Sequence, residues 1–114
     1  MTSINDYAFC GCDGLTSIVI PKSVESIGNG AFCECENLSS INIPKGVTSI
    51  GQASFRDCYK LTTITFSDTS TWYRTMDKSK WQSKTEGTET DMTDETVNAS
   101  NFKGDYCPYY WYKL

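Results

Sequence analysis

The sequence predicts a solenoid of mainly β structure, a right-handed coil of stacked parallel strands with an aromatic-rich β cap at its C-terminal end. Three observations predict it. Large apolar residues recur every 23 positions up to Phe66. Each period contains an Ile-x-Ile alternation, which is typical of a short strand with one buried face. Beyond Phe66 the period stops and all three tryptophans appear, as expected of a terminal element that covers the last turn.

The period is carried by columns of identical or similar residues. Phe9, Phe32 and Phe55 lie 23 positions apart. Five further columns share this interval: Cys12, Cys35 and Cys58; Leu15, Leu38 and Leu61; Ile18, Ile41 and Ile64; Ile20, Ile43 and Phe66; Ile4, Ile27 and Ile50. A single turn buries too little apolar surface to offset the entropy lost on ordering it. Neighbouring turns must therefore stack.

Each turn is predicted to contain one strand followed by short turns. Pro21 and Pro44 directly follow the Ile-x-Ile segment and end the strand, because proline cannot donate to a β ladder. Gly28 and Gly51 follow the third isoleucine of the turn and offer turn positions. The Ala-Phe segment that comes next shows no long helical pattern, so we expect a short strand or a single helical turn there.

Three cysteines lie in one column between the buried Phe and Leu columns, namely Cys12, Cys35 and Cys58. A free cysteine packs as a small hydrophobe, so this column is predicted to be buried and reduced. Ligands placed one per turn along a coil would not converge on a tetrahedral zinc ion. No metal site is therefore predicted.

Cys10 and Cys33 form a second column whose third member is Arg56, which indicates a position that faces solvent. Adjacent turns lie ~4.8 Å apart, within the ~4.4–6.8 Å between Cα atoms that a disulfide requires. A bridge between Cys10 and Cys33 is feasible in an exported protein, and two free thiols remain the alternative. Cys107 has no partner in the repeat.

The sequence divides into a repeat region, residues 1–66, and a C-terminal segment, residues 67–114. The aromatic residues of the segment suit either a cap on the last turn or a binding site for a glycan or a host protein, and both can hold together. "TEGTETDMTDET" is predicted to be a solvated loop. "YYWYK" is predicted to be a closing strand with Tyr110 and Tyr112 on one face and Tyr109 and Trp111 on the other.

The composition argues against several classes of function. The chain has no histidine, which removes the commonest general base and the usual partner of a nucleophilic cysteine. We therefore predict no enzymatic activity, no catalytic residues and no cofactor. A net charge of −4 without a basic run disfavours nucleic-acid partners. No apolar stretch approaches the ~20 residues of a membrane-spanning helix.

The repeats "LTSIVIPKSVESIGNGAFCEC" and "LSSINIPKGVTSIGQASFRDC" resemble the BspA-like leucine-rich repeats over residues 2 to about 66. The C-terminal segment is similar to those of treponemal members. The resemblance implies a cell-surface or secreted adhesion module that contacts host matrix proteins or other bacteria. It also implies that ligands meet the outward-facing strand residues of the concave side: Ser17, Val19, Ser40, Asn42, Thr63 and Thr65. The alternative is a terminal spacer of a longer stalk whose ligand sites lie upstream.

The residues before Cys12 correspond to the second half of a turn. A solenoid needs a cover on each open end, so we expect this sequence to be the C-terminal piece of a longer protein. Self-association through the uncovered N-terminal end is the other expectation.

Overall fold

The structure, a computed structural model, describes residues 2–68, 72–84, 87–103 and 109–113. The described strands are β1 (Ser3–Ile4), β2 (Ser17–Ile18), β3 (Ser26–Ile27), β4 (Ser40–Ile43), β5 (Ser49–Ile50), β6 (Thr63–Phe66), β7 (Trp72–Thr75), β8 (Thr88–Thr90) and β9 (Tyr110–Lys113). The described helices are α1 (Lys78–Ser83) and α2 (Glu95–Lys103). The fold is therefore mostly β with two short helices.

The predicted Ile-x-Ile strands form a parallel three-stranded sheet in the order β2-β4-β6. Its register is the sequence period, since Ser17 pairs with Ser40 and Ser40 pairs with Thr63. Along β4 the residues alternate between exposed and buried, with Ile41 and Ile43 facing the core. The predicted parallel strands are thus confirmed.

A second strand in each turn was not predicted. β1, β3 and β5 pair in parallel through Ser-Ile dipeptides, whose isoleucines form the column of Ile4, Ile27 and Ile50. Each of these strands has only two residues, too short to show an alternation in the sequence. The buried isoleucines Ile4, Ile27 and Ile50 point from these strands into the core between the two sheets.

The glycines that follow β3 and β5, Gly28 and Gly51, have a different role from the predicted one. Gly28 does not have a positive φ, unlike Gly30 at +59°. A Cβ at Gly28 would lie 2.6 Å from the backbone N of Asp6, and one at Gly51 would lie 2.5 Å from the backbone N of Asn29. Glycine is required here because successive turns approach closely.

The Ala-Phe segment forms a run of hydrogen-bonded turns, so the prediction of a strand or a helical turn was wrong. The N–H of Cys33 donates to the O of Gly30 at 3.0 Å, and the N–H of Phe32 donates to the next turn at Ser54 O, 2.8 Å away. Tyr7, Gly30 and Ala53 occupy one column and all have φ near +58°. A left-handed residue in each turn prevents a regular strand or helix.

The C-terminal segment continues the sheet of β1, β3 and β5, which reaches six strands in the order β1-β3-β5-β9-β7-β8. β9 lies antiparallel between β5 and β7. It corresponds to the predicted "YYWYK" strand, but all four of its residues, Tyr110–Lys113, are buried. Both of its faces are therefore covered, because elements of the C-terminal segment pack on it.

The predicted solvated loop "TEGTETDMTDET" was wrong, because its described residues include β8 and the start of α2. Asp94 supplies the local signal for α2: its Oδ1 accepts hydrogen bonds from the N–H groups of Thr96 and Val97 at 3.0 and 3.2 Å. Such a side chain satisfies backbone donors that the first helical turn leaves unpaired.

The core runs without a break from the repeats into the C-terminal segment. The rings of Phe9, Phe32 and Phe55 stack nearly parallel, with centroids 5.3 and 5.4 Å apart. Phe102 of α2 meets Phe55 edge-on at 5.7 Å, and Trp111 of β9 stacks on Phe102 at 4.4 Å. The phenylalanine column of the repeats is thus continued by Phe102 and Trp111, two aromatic residues of the C-terminal segment.

Candidate functional site

The exposed face of the three-stranded sheet is the candidate binding face, formed by Ser17, Val19, Ser40, Asn42, Thr63 and Thr65. The register brings Ser17, Ser40 and Thr63 into one row across the strands and pairs Asn42 with Thr65 in a second. Val19 directly follows β2. Ser17, Val19, Ser40 and Asn42 are exposed. Val19 is 91% exposed and is the most accessible large apolar residue described.

The polar side chains in one part of the candidate binding face are ordered by one another. Oδ1 of Asn42 accepts hydrogen bonds from Oγ1 of Thr65 at 2.9 Å and from Oγ of Ser67 at 3.3 Å. Nδ2 of Asn42 lies 3.0 Å from the same Ser67 hydroxyl. A network of this kind fixes donors and acceptors before a ligand arrives, which lowers the entropic cost of binding.

A cavity of about 450 Å³ adjoins this face where the strands end, and Val19 and Asn42 lie in its wall. The loops after the strands complete the wall with Pro44, Lys22 and Lys45. Sequence reasoning missed the two lysines, although the repeated Ile-Pro-Lys triplet was a signal for them. They bring two cations to one end of an otherwise uncharged surface.

Lys113, in β9, anchors the loop that carries Lys45. Its Nζ lies 2.5 Å from Oδ2 of Asp68 and donates to the backbone O of Lys45 at 3.0 Å. The Lys113 side chain is only 8% exposed, so this ion pair is shielded from water more than a surface pair. The C-terminal segment thereby helps to position the wall of the cavity.

The structure places the column of Cys12, Cys35 and Cys58 against the core, away from the candidate binding face. Cys35 and Cys58 are fully buried, and their thiols donate to the backbone O of Phe9 and Phe32 at 3.1 and 3.0 Å. Burial raises the pKa of the Cys35 thiol, which favours the protonated, unreactive form. Cys12, in the first turn, is half-buried.

Cys10 and Cys33 are joined as a disulfide in the structure, with their Cα atoms 4.7 Å apart. The expectation that Cys33 faces solvent was wrong, since it is only 8% exposed while Arg56 in the same column is exposed. Cys33 lies between the turns that precede and follow it, so both of its flanks are covered. Cys107 lies outside the described residues.

The described residues include neither a metal-binding cluster nor a membrane-spanning helix. Within them, no group of three or more His, Cys, Asp or Glu residues is placed to hold a metal ion. Neither of the two helices found there has the length and apolar character that crossing a membrane requires.

Comparison with known proteins identifies the repeat. The family model for the BspA type leucine rich repeat region matches residues 2–104, with six copies. The match therefore continues beyond Phe66, where the 23-residue columns end. No curated protein and no solved structure matches the chain.

Proposed function

The chain belongs to the BspA-type leucine-rich repeat family, whose members are generally associated with protein binding and adhesion; on this basis we propose that it is a non-enzymatic binding module that stacks its turns as a solenoid. In this proposal the module is displayed at a cell surface or secreted. Its ligand is a host matrix protein or a surface protein of another bacterium, held along the candidate binding face.

The observation that carries the proposal is the candidate binding face itself. It combines a highly exposed apolar residue, Val19, with the ordered polar group around Asn42. Protein interfaces bury apolar residues at their centre and satisfy polar groups around them. The adjoining cavity with Lys22 and Lys45 suits an acidic side chain of the ligand.

Surface plasmon resonance against a panel of extracellular matrix proteins tests the proposal. The double variant Ser40→Glu with Thr63→Glu places two carboxylates on neighbouring strands of the face. We expect the affinity for any matrix protein that binds the parent chain to fall at least about tenfold, because each new charge must be desolvated without a partner.

A matched double variant, Gln82→Glu with Thr88→Glu, adds the same charge at two exposed positions of the C-terminal segment. It should bind as the parent chain does. Equal binding by both double variants would exclude the candidate binding face as the contact surface, and absence of binding to the whole panel would exclude the matrix-protein ligand.

A second function, that of a terminal spacer in a longer stalk, is favoured by the way in which the C-terminal segment meets the last turn. β9 pairs with β5, and Asn98 of α2 donates to the backbone O of Ile64 in β6 at 2.9 Å. A chain that stops at Phe66 tests the capping role. A terminal cap predicts aggregation or unfolding on truncation. A folded chain that still binds would exclude the cap, and a folded chain with lost binding would indicate a ligand site in the removed segment.

Self-association is a further part of the proposal. Among the described residues, β1 and β2 are edge strands. Phe9, Leu15 and Ile18 of the first turn are only half-buried, whereas their counterparts in the next turn are buried. This apolar edge suits another stacked turn, and light scattering over a range of concentrations would detect a second copy that covers it.

A further inference from the structure

A second groove lies on the six-stranded sheet, separate from the candidate binding face. Its volume is about 510 Å³, within the ~300–1,000 Å³ typical of small-molecule sites. One wall carries the hydroxyl, amide and carboxylate groups of Ser3, Asn5, Asp6 and Ser26, at the ends of β1 and β3. Trp81 of α1 supplies an aromatic wall.

The Trp81 ring is held in place by two contacts. Its Nε1–H donates to the backbone O of Trp111 at 2.9 Å. One face of the indole stacks on Tyr110 with the ring centroids 4.7 Å apart and the planes inclined by 29°. The polar N–H is therefore already satisfied, and what Trp81 offers to the groove is aromatic surface in a fixed orientation.

The polar wall is linked to the same aromatic pair by a chain of hydrogen bonds. Oδ1 of Asp6 accepts from the N–H of Asn29 at 2.8 Å, and Oδ1 of Asn29 accepts from the N–H of Gln52 at 3.0 Å. The Tyr110 hydroxyl then donates to Oε1 of Gln52 at 3.2 Å. Both walls are thus oriented by one network, which preorganises the groove for a ligand.

We propose that this groove binds a neutral carbohydrate. The C–H groups on one face of a pyranose ring carry partial positive charge and pack on the negative face of an indole. The hydroxyl groups at the rim of the sugar meet acceptors and donors of the polar wall, among which the Asp6 carboxylate provides the strongest acceptor. No lysine or arginine lines the groove in the described residues, so anionic sugars and phosphates would meet only the Asp6 carboxylate.

Acrylamide quenching of tryptophan fluorescence on the full chain tests this proposal. Trp72 and Trp111 are each 1% exposed, whereas Trp81 is half-buried, so quenching reports mainly on Trp81. The probes are lactose, cellobiose and diacetylchitobiose, with sialyllactose as the anionic comparison. We expect at least one neutral disaccharide to reduce quenching in a saturable manner, and we expect sialyllactose to have a markedly weaker effect.

Variants then assign the effect to the groove through saturation-transfer NMR, which needs no tryptophan signal. Trp81→Leu should abolish binding. Asp6→Asn keeps an oxygen acceptor for the Asn29 N–H and should weaken binding about tenfold, because a charge-assisted hydrogen bond becomes a neutral one. Glu36→Gln, at an exposed carboxylate outside the groove, should leave binding unchanged.

Three results would overturn the proposal: no protection by any neutral disaccharide, equal protection by sialyllactose, or unchanged binding in Asp6→Asn. The Asp6→Asn result remains decisive even if the Trp81→Leu variant fails to fold. The proposal does not depend on a protein ligand at the candidate binding face, because the two surfaces belong to different sheets.

Discussion

The buried cysteines connect successive turns through their thiols. Cys35 and Cys58 each donate to a backbone carbonyl of the preceding turn, 26 residues earlier in the chain. The same two carbonyls, of Phe9 and Phe32, also accept the N–H groups of Cys12 and Cys35 at 3.2 and 3.3 Å. Each thiol therefore adds a second hydrogen bond to an oxygen that has two lone pairs. The repetition of cysteine thus has a structural explanation, since a small apolar side chain with one weak donor fits the site.

Replacement of Cys58 by alanine tests this role. The variant leaves the backbone O of Phe32 without the thiol donor and removes a fully buried sulfur atom, so we expect a loss of about 1–3 kcal/mol in the free energy of unfolding. Urea denaturation measures it. Cys12→Ala, at the half-buried first position of the column, is the control and should change the stability by less than about 0.5 kcal/mol. Equal effects at both positions would contradict this explanation.

Three aspartates make the stability sensitive to acid. Hydrogen bonds from the hydroxyl and N–H of Ser79 and from the N–H of Lys80 lower the pKa of Asp77. Hydrogen bonds from Thr93 lower the pKa of Asp91. Hydrogen bonds from Thr96 and Val97 lower the pKa of Asp94. A carboxyl whose pKa is lower in the folded state stabilises the fold above its unfolded value of about 3.9. This stabilisation is lost as the pH falls through the lowered pKa.

We therefore expect the helical signal in far-ultraviolet circular dichroism to fall as the pH is lowered below about 4. Asp94→Asn retains an N-cap acceptor but cannot ionise, so part of the pH dependence should disappear in this variant. Glu89→Gln removes an exposed carboxylate of β8 and serves as the control. An identical acid profile for the parent chain and Asp94→Asn would rule out a contribution from this cap.

At the scale of elements, α2 meets the edge of the three-stranded sheet through one buried side chain. Asn98 is fully buried, and its Nδ2 donates to the backbone O of Ile64 at 2.9 Å and of Met92 at 2.8 Å. Ile64 lies in β6, the last strand of that sheet. The amide thus replaces part of the ladder that a further strand would provide.

Asn98→Ala should reduce the free energy of unfolding by at least about 2 kcal/mol, because two buried carbonyls lose a donor. Chemical denaturation followed by circular dichroism measures this loss. Asn101→Ala, in the same helix at a half-buried position, controls for the change in helix propensity and should cost less than about 1 kcal/mol. A cost for Asn98→Ala no larger than that of the control would show that α2 does not complete the sheet edge.

At the scale of the whole molecule, the repeat region and the C-terminal segment share one sheet and one core. β9 lies between β5 of the last turn and β7, and Phe102 contacts both Phe55 and Phe66. Phe66 therefore marks the end of the 23-residue period in the sequence, but the sheet and the core continue from the repeat region into the C-terminal segment.

This continuity predicts a single unfolding transition. All three tryptophans lie in the C-terminal segment, so their fluorescence follows that segment, whereas far-ultraviolet circular dichroism follows the strands of both parts. We expect the two signals to give the same midpoint in urea. Two separated midpoints would instead indicate two independently stable units, residues 1–66 and 67–114.

The sequence by itself determined the repeat, the columns that form the core and the exposed face of the three-stranded sheet. These features depend on a period of 23 residues and on alternation within a strand, and both remain visible when each turn is compared with the next. Cys35, Leu38 and Ile41 are all buried, as their columns predict. The exposure of Ser40 and Asn42 follows from the same alternation.

The tertiary structure alone decided how the aperiodic part closes the fold and where the grooves lie. The insertion of β9 between β5 and β7 and the contact of Asn98 with Ile64 join residues far apart in the sequence. The walls of both grooves likewise depend on how loops and α1 pack. Within the part of the chain that the structure describes, each such contact occurs once. Without repetition no sequence pattern records these contacts, because they are selected by the packing of the complete core.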